Sequence, residues 1–407
     1  MRIVIVIDQY DNENNGTTVS AARFVSHLRA RGHEVRICAT GKPGPDKYVM
    51  KTHIFPIIDP LISSQGMQFG RAVESELRRA FEGADIVHLY LPFRLEMRAR
   101  EIAEEMGIPY MSAFHCQPEN VTYNIGMKYL TPLAHGLYWW FRHRFYRYVN
   151  HIHCPTKFIA GQLEAHGYAA ELHVISNGAD EAFRPVQVEK PAGWQDRFVV
   201  MMIGRLSREK RQDLIIKAAM RSKYSGRIQL VFAGNGPRKK YYARLGRKLE
   251  NPPVFGYYSK DKLIQLINQC DLYVHAAEAE IEAISCIEAF SCGLVPVIAD
   301  SKLSATPQFA LSANNLFRNK SVSDLVRKME YWIEHPAEKE AVGKEYVEYA
   351  QQYRVTRSAE KMEEVYRLVI AEHQESRKRA EVPEYEPVEL LEDGFEEEEE
   401  PTFAGEH

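Results

Sequence analysis

Two glutamates in the second half of the chain have the type and spacing that a binding site requires. Glu280 and Glu288 are separated by seven residues in the stretch EIEAISCIEAFSCGLVPVIAD. Gly293 is typical of a helix C-cap and Pro296 of the first residue of a strand. The stretch therefore predicts a loop, a helix, a turn and a strand, with Glu280 just before the helix and Glu288 in its first turns.

The start of that helix could bind a polar ligand. Unpaired backbone N–H groups between the two glutamates would bind phosphate or sugar hydroxyls. The carboxylates would accept hydrogen bonds from hydroxyl groups, as polyol binding requires. The two glutamates could instead be solvated side chains on a surface turn. The pair alone does not distinguish a binding site from such a turn.

Cations follow a predicted strand of the same half. The strand FVVMMIG runs into GRLSREKRQDLI, which places Arg205 at the carboxyl end of the strand and Lys210 five residues further on. Open α/β sheets bind ligands at this edge, where two cations would neutralise a diphosphate. FAGNGP, which contains Asn235, and FGYY provide glycine turns at two other strand ends. Surface cations are the alternative at any single end, but several such ends in one half favour a ligand site.

Parallel strands must position these residues. RIVIVID is a continuous apolar run, typical of a strand buried on both faces. A polar loop and a helix follow it, with Gly16, Thr17 and Thr18 at the helix start, which suits an anion or a closely approaching ligand. The dinucleotide fingerprint G-x-G-x-x-G is missing. Strands then alternate with helices, and the pattern restarts after EAFRPVQVEKPAGWQDR, which predicts two doubly wound α/β units.

We therefore predict an α/β protein with two Rossmann-like domains that face a central cleft. A length of 407 residues agrees with this, because it exceeds what one hydrophobic core usually supports. The predicted parts are a first domain (1–183), a linker (184–196), a second domain (197–353), a C-terminal helix (354–379) and an acidic disordered tail (380–407).

Net charge, apolar runs and cysteine spacing further limit the class of protein that this sequence can encode. The formal charge is −3, and the residues from Glu381 onward hold twelve carboxylates and no Lys or Arg, so the preceding residues carry +9. MRIVIVIDQY leads directly into a strand, and no apolar run reaches the roughly 18 residues of a membrane span, so a cytosolic protein is expected. The six cysteines form no C-x-x-C pair, and we expect reduced thiols with neither zinc nor disulfides.

One segment is both basic and aromatic. Residues 120–163 contain no Asp or Glu, and they include GLYWWFRHRFYRYV. Helical spacing predicts one side with Leu137, Phe141, Phe145 and Tyr148 and another with Trp139, Arg142, His143, Tyr146 and Arg147. A basic, aromatic face suits an anionic bilayer surface, and a core helix with a solvated basic flank is the alternative. The residues predicted to contact membrane or acceptor are Trp139, Trp140, Arg142, Arg144 and Arg147.

The chain resembles glycosyltransferase family 4, a class of retaining enzymes with the GT-B fold that use nucleotide-sugar donors. The matching segments run from Met1 to about Arg379 in the order of the family. They are the Gly16 loop, AFHCQPEN, HCPTKF, VISNGAD, GRLSREK, FAGNGP, FGYY and the E-x7-E motif with EAFSCGLVPVIAD. Each motif is weak alone, whereas the ordered set is specific.

The resemblance implies that the first domain binds the acceptor, that the second binds the nucleotide sugar, and that the helix 354–379 packs back on the first domain. It also implies roles for individual residues. Arg205 and Lys210 match the pair that holds the diphosphate of the sugar donor and supports charge on the departing nucleotide. Gly16 matches the loop that lets the first domain approach this diphosphate. Glu288 matches the carboxylate that holds the ribose, and Glu280 the one that holds the transferred sugar.

Two aromatic residues complete the implied site. Tyr257 falls where the base is usually held, and His115 of AFHCQ matches a histidine that bonds a sugar hydroxyl near the anomeric centre. A structural histidine at a strand end is the alternative for His115. The implied catalytic residues are His115, Arg205, Lys210 and Glu280. The implied donor-binding residues are Gly16, Thr17, Arg205, Lys210, Asn235, Tyr257, Glu280, Glu282, Ala283, Ile284 and Glu288.

The sequence departs from the family at one motif. Gly-Phe-Gly usually follows the first glutamate, and here Ile281, Glu282 and Ala283 take its place. Losing both glycines limits the φ values available to this loop. Glu278 and Glu282 are also further carboxylates near the expected sugar position, and an inactive binding subunit becomes an alternative to an enzyme.

The expected reaction follows from the charges involved. Cleavage of the bond between sugar and nucleotide leaves negative charge on the diphosphate, which preorganised cations and N–H dipoles would stabilise without a metal. No DxD-type motif is evident. We expect no obligatory cofactor, Mg²⁺ included, and the resemblance implies that the donor phosphate takes the proton of the acceptor hydroxyl.

Three of the motifs also resemble one branch of the family, and this resemblance indicates the acceptor. AFHCQPEN, the E-I-E form of the loop and SCGLVPVIADSKLSATPQFA look most like the bacterial branch that glucosylates diacylglycerol. That branch implies UDP-glucose as the sugar donor, a lipid hydroxyl such as that of 1,2-diacylglycerol as acceptor, and peripheral attachment to the inner face of the cell membrane, with no nucleic acid partner. The alternatives are a soluble or polyprenyl-linked acceptor in surface polysaccharide synthesis, and a nucleotide-sugar epimerase.

Overall fold

The computed structural model describes residues 1–11, 16–54, 68–124 and 131–381. The first half contains a seven-stranded sheet in the order β3-β2-β1-β6-β7-β8-β9, in which every pairing is parallel. Its strands are β1 (Arg2–Gln9), β2 (Glu34–Thr40), β3 (Lys47–Val49), β6 (Ile86–Leu89), β7 (Tyr110–Ala113), β8 (His151–Cys154) and β9 (Glu171–Val174). A separate antiparallel pair consists of β4 (Lys51–His53) and β5 (Phe69–Arg71).

Helices cover both faces of this sheet. They are α1 (Gly16–Ala30), α2 (Glu74–Phe81), α3 (Arg94–Glu105), α4 (Pro118–Asn124), α5 (Thr131–Arg144) and α6 (Lys157–Ala165). The predicted strand RIVIVID is confirmed as β1, and alternate residues serve opposite faces. Val4 and Val6 belong to one buried cluster, and Ile3, Ile5 and Ile7 to another. A strand buried on both sides needs this continuous apolar sequence.

The second half repeats the architecture with six strands. They follow the order β12-β11-β10-β13-β15-β17, again in parallel pairs. The strands are β10 (Phe198–Ile203), β11 (Ile228–Ala233), β12 (Val254–Gly256), β13 (Leu272–His275), β15 (Pro296–Asp300) and β17 (Leu316–Arg318), with a small parallel pair of β14 (Ala279–Glu280) and β16 (Leu303–Ser304). The helices are α7 (Gln212–Arg221), α8 (Lys239–Gly246), α9 (Lys260–Asn268), α10 (Ile284–Ser291), α11 (Val322–Glu334) and α12 (Pro336–Tyr349).

The last helix returns to the first sheet. It is α13 (Val355–Glu381), and its Met362, Val365 and Val369 join the buried cluster around β1. The hydroxyl of Tyr366 lies 2.9 Å from Nδ1 of His88 on β6. The two halves are thus linked twice along the chain, once before β10 and once through α13.

The predicted class, two doubly wound α/β sheets followed by helices, is confirmed. The domain bounds proposed from the sequence stay a prediction, and most of the predicted acidic tail, residues 382–407, lies outside the described residues. Within the described part of the chain, no helix combines the length and apolar character that crossing a membrane requires. All six cysteines are free, and every one except the partly buried Cys270 is buried.

Candidate active site

The predicted site residues follow the carboxyl ends of strands in both sheets. Ligands of doubly wound sheets bind at this edge, where the strand order reverses on either side of the central strand. In the first sheet that strand is β1, between β2 and β6, and in the second it is β10, between β11 and β13. Gly16 follows β1, His115 follows β7, Arg205 follows β10, Asn235 follows β11 and Tyr257 follows β12.

The local structure around the two glutamates matches the prediction. Glu280 ends β14, and helix α10 begins at Ile284 and contains Glu288. Gly293, one residue beyond the C-cap, has a φ of 84°, the left-handed conformation that a helix terminus favours in glycine. Pro296 is the first residue of β15.

Lys210 and Glu280 lie in direct contact. The Nζ of Lys210 donates a hydrogen bond to Glu280, and the two side chains are 17% and 16% exposed. Nε2 of His275 lies 3.5 Å from the same carboxylate. Burial raises the pKa of Glu280, but Lys210 and then His275 outweigh it and lower the pKa to about 2. Lys210 and Glu280, both predicted to hold the sugar donor, therefore form an ion pair in the structure.

Glu288 meets a residue of the other half. Arg23 of α1 donates a hydrogen bond to its carboxylate at 2.6 Å, and the side chains are 17% and 8% exposed. Burial raises the pKa of Glu288, and Arg23 opposes this shift. Arg23 was not predicted from the sequence, because its position inside an amphipathic helix resembles that of any other surface arginine.

The loop that departs from the family pattern contacts the first half. The carbonyl of Ile281 accepts a hydrogen bond from Oγ1 of Thr156 at 3.1 Å, and the Ile281 side chain packs against the buried cluster of the first sheet. The carboxylate of Glu282 accepts hydrogen bonds from the hydroxyl of Ser176 and from both the backbone and side-chain nitrogens of Asn177. The side chains of Ile281 and Glu282, which stand where the family has glycine and phenylalanine, thus contact the first half of the chain.

Ala283 and Glu278 show how this loop is held. Ala283 has a φ of 64°, so it keeps the left-handed conformation that glycine adopts without strain. Glu278 is buried, forms an ion pair with Arg211 and lies 3.2 Å from the ammonium of Lys320. Of the three carboxylates in this loop, Glu280 is the one that contacts Lys210.

Glycines allow the strand ends of the second sheet to approach closely. A Cβ on Gly234 would lie 2.0 Å from the carbonyl oxygen of Gly204, so a side chain cannot be accommodated there. The backbone N–H of Leu206 donates to the carbonyl of Asn235 at 2.9 Å. Asn235 and Tyr257 present exposed side chains beside these turns, and Tyr257 is 60% exposed.

Arg205 and His115 lie at less exposed positions. Arg205 is partly buried, and burial lowers its pKa while Glu209 opposes the shift. His115 is buried and stacks on Tyr90 at a centroid distance of 5.3 Å. Burial, followed by the neighbouring His153, holds the pKa of His115 well below its usual value, so the imidazole is neutral. Its Nε2 is buried and has no hydrogen-bond partner among the described residues.

The start of α1 has open space beside it. Around a Cβ built on Gly16, no atom of the described residues lies within 4 Å. Thr17 is partly exposed, and the hydroxyl of Thr18 donates to the carbonyl of Gln9 at 3.2 Å. This bond ties the helix start to the end of β1.

The basic, aromatic segment forms α5 and a short 3₁₀ turn. Trp139 and Trp140 are 59% and 39% exposed. Arg144 and Arg147 are exposed, whereas Arg142 is partly buried and donates to the carbonyl of His166 at 3.4 Å. The helix therefore presents two tryptophans and two arginines to solvent.

The predicted helical faces are wrong at their C-terminal end. Tyr146 is buried and donates to the carbonyl of Ala113 at 2.8 Å, whereas Tyr148 is 40% exposed. The helix ends at Arg144, and the turn Tyr146–Tyr148 continues the chain with tighter winding. Because a 3₁₀ turn has three residues per turn, the spacing used for the prediction no longer applies there.

A pocket of about 400 Å³ lies next to this segment. It is lined by Met97, Arg100, Glu101, His143, Arg144, Arg147 and Tyr148. The guanidinium carbons of Arg100 and Arg147 lie 4.4 and 4.6 Å from the ring centroid of Tyr148. The pocket was not predicted from the sequence, because three of its seven lining residues come from α3, some 40 residues earlier.

Two doubly wound parallel sheets, with predicted site residues at the carboxyl ends of their strands, have the architecture of the GT-B fold. Comparison with solved structures agrees with this fold. The chain aligns with sucrose-phosphate synthase from Thermosynechococcus elongatus at a TM-score of 0.72 and 14% identity, covering 91% of this chain and 99% of that one. It aligns with Anabaena Alr3699/HepE in complex with UDP-glucose at a TM-score of 0.69 and 16% identity, covering 92% and 100%. At these identities the likeness shows the fold alone.

Family models account for both halves. The model described as Glycosyltransferase Family 4 matches residues 14–183, and the one described as Glycosyl transferases group 1 matches residues 185–353. The chain belongs to glycosyltransferase family 4.

Curated relatives of the chain are glycosyltransferases. A GDP-mannose-dependent alpha-mannosyltransferase of Corynebacterium glutamicum is 26% identical over 73% of this chain and 72% of its own length. An alpha-monoglucosyldiacylglycerol synthase of Streptococcus pneumoniae is 24% identical over 82% of this chain and 76% of its own length. The residue roles implied by the resemblance stay predictions.

Proposed function

We propose that this protein transfers glucose from UDP-glucose, with retention of configuration, to the hydroxyl of a membrane lipid such as 1,2-diacylglycerol. The observation that carries the lipid acceptor is the exposed pair Trp139 and Trp140 beside a pocket lined by Arg144 and Arg147. The alpha-monoglucosyldiacylglycerol synthase among the relatives supports the same acceptor.

The second half supplies the groups that the sugar donor requires. Arg205 and Lys210 are the cations that would bind the diphosphate and stabilise its charge as the glycosidic bond breaks. Glu280 would exchange part of its bond with Lys210 for hydroxyls of the glucose. Glu288 would take the ribose hydroxyls after release from Arg23.

The first half supplies the groups around the reacting carbon. The neutral imidazole of His115 would bond a sugar hydroxyl through the nitrogen that has no partner among the described residues. The acceptor hydroxyl would attack from the side of the leaving group, and its proton would pass to the departing phosphate oxygen. This proton transfer needs neither a protein base nor an added metal ion.

Membrane contact would bring the protein to its acceptor. Exposed tryptophans bind at the boundary between headgroups and acyl chains, and arginines near an anionic surface contribute about 1 kcal/mol each. Trp139 and Trp140 occupy the same helix as Arg144, and Arg147 follows within one turn. The four side chains form a small surface suited to an anionic bilayer.

The decisive experiment offers UDP-glucose, UDP-galactose, GDP-mannose and UDP-N-acetylglucosamine together with a total lipid extract. We expect mass spectrometry to find a hexosyl-diacylglycerol that contains labelled glucose, and proton NMR to show an α-anomer. A product confined to the water-soluble fraction, or free sugar and nucleotide without a glycolipid, would contradict the lipid acceptor.

Vesicle binding tests the membrane surface separately. At low salt we expect binding to anionic vesicles and release by high salt, because screening weakens exposed charges. The double variant Arg144→Gln with Arg147→Gln should bind more weakly. A matched control is Arg244→Gln with Arg247→Gln, which removes two exposed arginines with the same spacing from the second half. Equal loss in both double variants would refute a specific role for the pocket.

A second candidate is transfer of mannose from GDP-mannose. The mannosyltransferase relatives, 26% identical over 73% of this chain in the first case, favour it. The mixture of sugar donors described above separates the two functions, since labelled mannose in the product would select this alternative.

A further inference from the structure

Two histidines and a glutamate converge at the outer edge of the first sheet. His151 and Glu171 are directly paired in register on β8 and β9, and His173 lies two residues after Glu171. Residues paired across parallel strands, and those two apart on one strand, share a face of the sheet. Their potential ligand atoms all lie within 4.8 Å of one another.

The nitrogen separation fits a tetrahedral metal. Nδ1 of His151 lies 3.1 Å from Nε2 of His173. Zinc–nitrogen bonds of about 2.0–2.1 Å at tetrahedral angles place two ligating nitrogens about 3.3 Å apart. A carboxylate oxygen of Glu171 lies 3.9 Å from Nδ1 of His151. The Glu171 side chain is 56% exposed, so it can rotate toward the two histidines and become the third ligand.

A second carboxylate orients the first histidine. Nε2 of His151 lies 3.0 Å from a carboxylate oxygen of Glu372 on α13. When Nε2 donates its proton to Glu372, Nδ1 is left with a free lone pair directed toward His173. Histidines that bind metals almost always donate their other ring nitrogen to such a carboxylate, which fixes the tautomer.

We propose that His151, Glu171 and His173 bind one Zn²⁺ ion, with Glu372 as the partner that orients His151. Two imidazoles and one carboxylate form a ligand set typical of zinc, and water would occupy the fourth position. The histidines are 5% and 11% exposed, and Glu171 leaves a path from solvent. The expectation of no zinc rested on the cysteines, whereas this ligand set contains none.

The position indicates a structural role. His151 and Glu171 are the first residues of their strands, so the set lies at the amino edge of the sheet, opposite the edge that carries the site residues. Because Glu372 belongs to α13, an ion here would tie the returning helix to the first sheet. The proposal does not depend on the sugar or the acceptor.

The test is zinc titration of the full chain, without a histidine tag, against a chromophoric chelator. We expect one equivalent bound with a Kd below about 1 μM and a higher Tm with zinc than after chelator treatment. His151→Ala and His173→Ala should each weaken binding at least about 100-fold and abolish the Tm difference. Glu372→Gln should weaken binding about 10- to 100-fold with the stoichiometry unchanged.

The chain contains a matched control. Nδ1 of His135 lies 2.8 Å from Nε2 of His166, a histidine pair outside any such three-residue cluster among the described residues. His135→Ala and His166→Ala should leave the zinc affinity and the rise in Tm caused by zinc unchanged. Failure of the wild-type chain to bind zinc more tightly than about 10 μM would overturn the proposal. Equal weakening by the control substitutions would also overturn it, because any surface histidine would then explain the binding.

Discussion

Arg23 of α1 and Glu288 of α10 form a hydrogen-bonded ion pair at 2.6 Å that connects the two halves of the protein. Glu288 is the carboxylate predicted to hold the ribose of the sugar donor. A nucleotide that binds there must displace the Arg23 guanidinium from a largely buried position. If Glu288 binds the ribose as predicted, Arg23 would compete with the nucleotide for this carboxylate.

Replacing Arg23 should remove that competition. We expect Arg23→Gln to lower the Kd for UDP by about tenfold, equivalent to about 1.4 kcal/mol, because hydrogen bonds to charged groups contribute on this scale. Isothermal titration calorimetry measures the change. The control is Arg29→Gln on the same helix, whose guanidinium pairs with Asp46 of the first half at 3.3 Å. Weaker UDP binding by Arg23→Gln would show that Arg23 helps to bind the nucleotide.

Lys210 should be needed for turnover. We expect Lys210→Ala to lower kcat by a hundredfold or more, since one preorganised electrostatic contact contributes about 3 kcal/mol to a transition state. Lys217→Ala is the matched control, because Lys217 also forms an ion pair with a carboxylate, Asp213, but on α7. Steady-state assays with the sugar donor that the product analysis selects provide the measurement. A loss of less than about threefold in Lys210→Ala would defeat the assigned role.

Local patterns explain why much of this architecture is visible in the sequence. The apolar runs of β1 and β10 and the glycine at position 293 depend on neighbouring residues alone, so the strands, the helix end and the order of elements are predictable. Arg23 reaches Glu288, and Ser176 and Asn177 reach Glu282, only after the two halves come together. Contacts between residues far apart in the sequence leave no local pattern. The pocket at Arg100 is not predictable for the same reason.

Gly16 offers a test of the sugar-donor position in the first half. Since a Cβ there meets no described atom within 4 Å, Gly16→Ala should leave Tm unchanged or slightly raised, because alanine favours helices. If the diphosphate approaches this helix start, the same substitution should raise the KM for the sugar donor about tenfold. Gly161→Ala in α6 is the control, with equally open surroundings. An unchanged KM in Gly16→Ala would place the diphosphate elsewhere.

Ala283 tests the strain in the departing loop. A non-glycine residue at a φ of 64° costs roughly 1–2 kcal/mol, so Ala283→Gly should stabilise the protein by about 1 kcal/mol after the flexibility of glycine in the unfolded chain is included. Ala341→Gly, at an exposed position within α12, should have the opposite sign and cost roughly 0.5–1 kcal/mol. Denaturant unfolding of both variants measures the difference. Destabilisation by Ala283→Gly would mean that the loop is unstrained.

Glu282 should make the stability of the protein depend on pH. Burial raises the pKa of its carboxyl to about 7, against the opposing hydrogen bonds from Ser176 and Asn177, and the charge of Glu280 adds to the rise. In the unfolded chain the carboxyl loses its proton near its ordinary pKa, so the folded state binds the proton more tightly between about pH 4.5 and pH 7. The contribution to the free energy of unfolding therefore falls as pH rises through this window, by at most about 3 kcal/mol, and is constant above it.

Glu282→Gln isolates this contribution, because glutamine has nearly the same shape and no titrating proton. The difference in Tm between wild type and Glu282→Gln, measured from pH 5 to pH 8, cancels the effects of other titrating groups. We expect wild type to lose stability relative to the variant as pH rises toward 7, whereas Glu348→Gln, an exposed substitution on α12, should show no such trend. A pH-independent difference for Glu282→Gln would mean that the carboxylate is charged throughout, held by its bonds to Ser176 and Asn177.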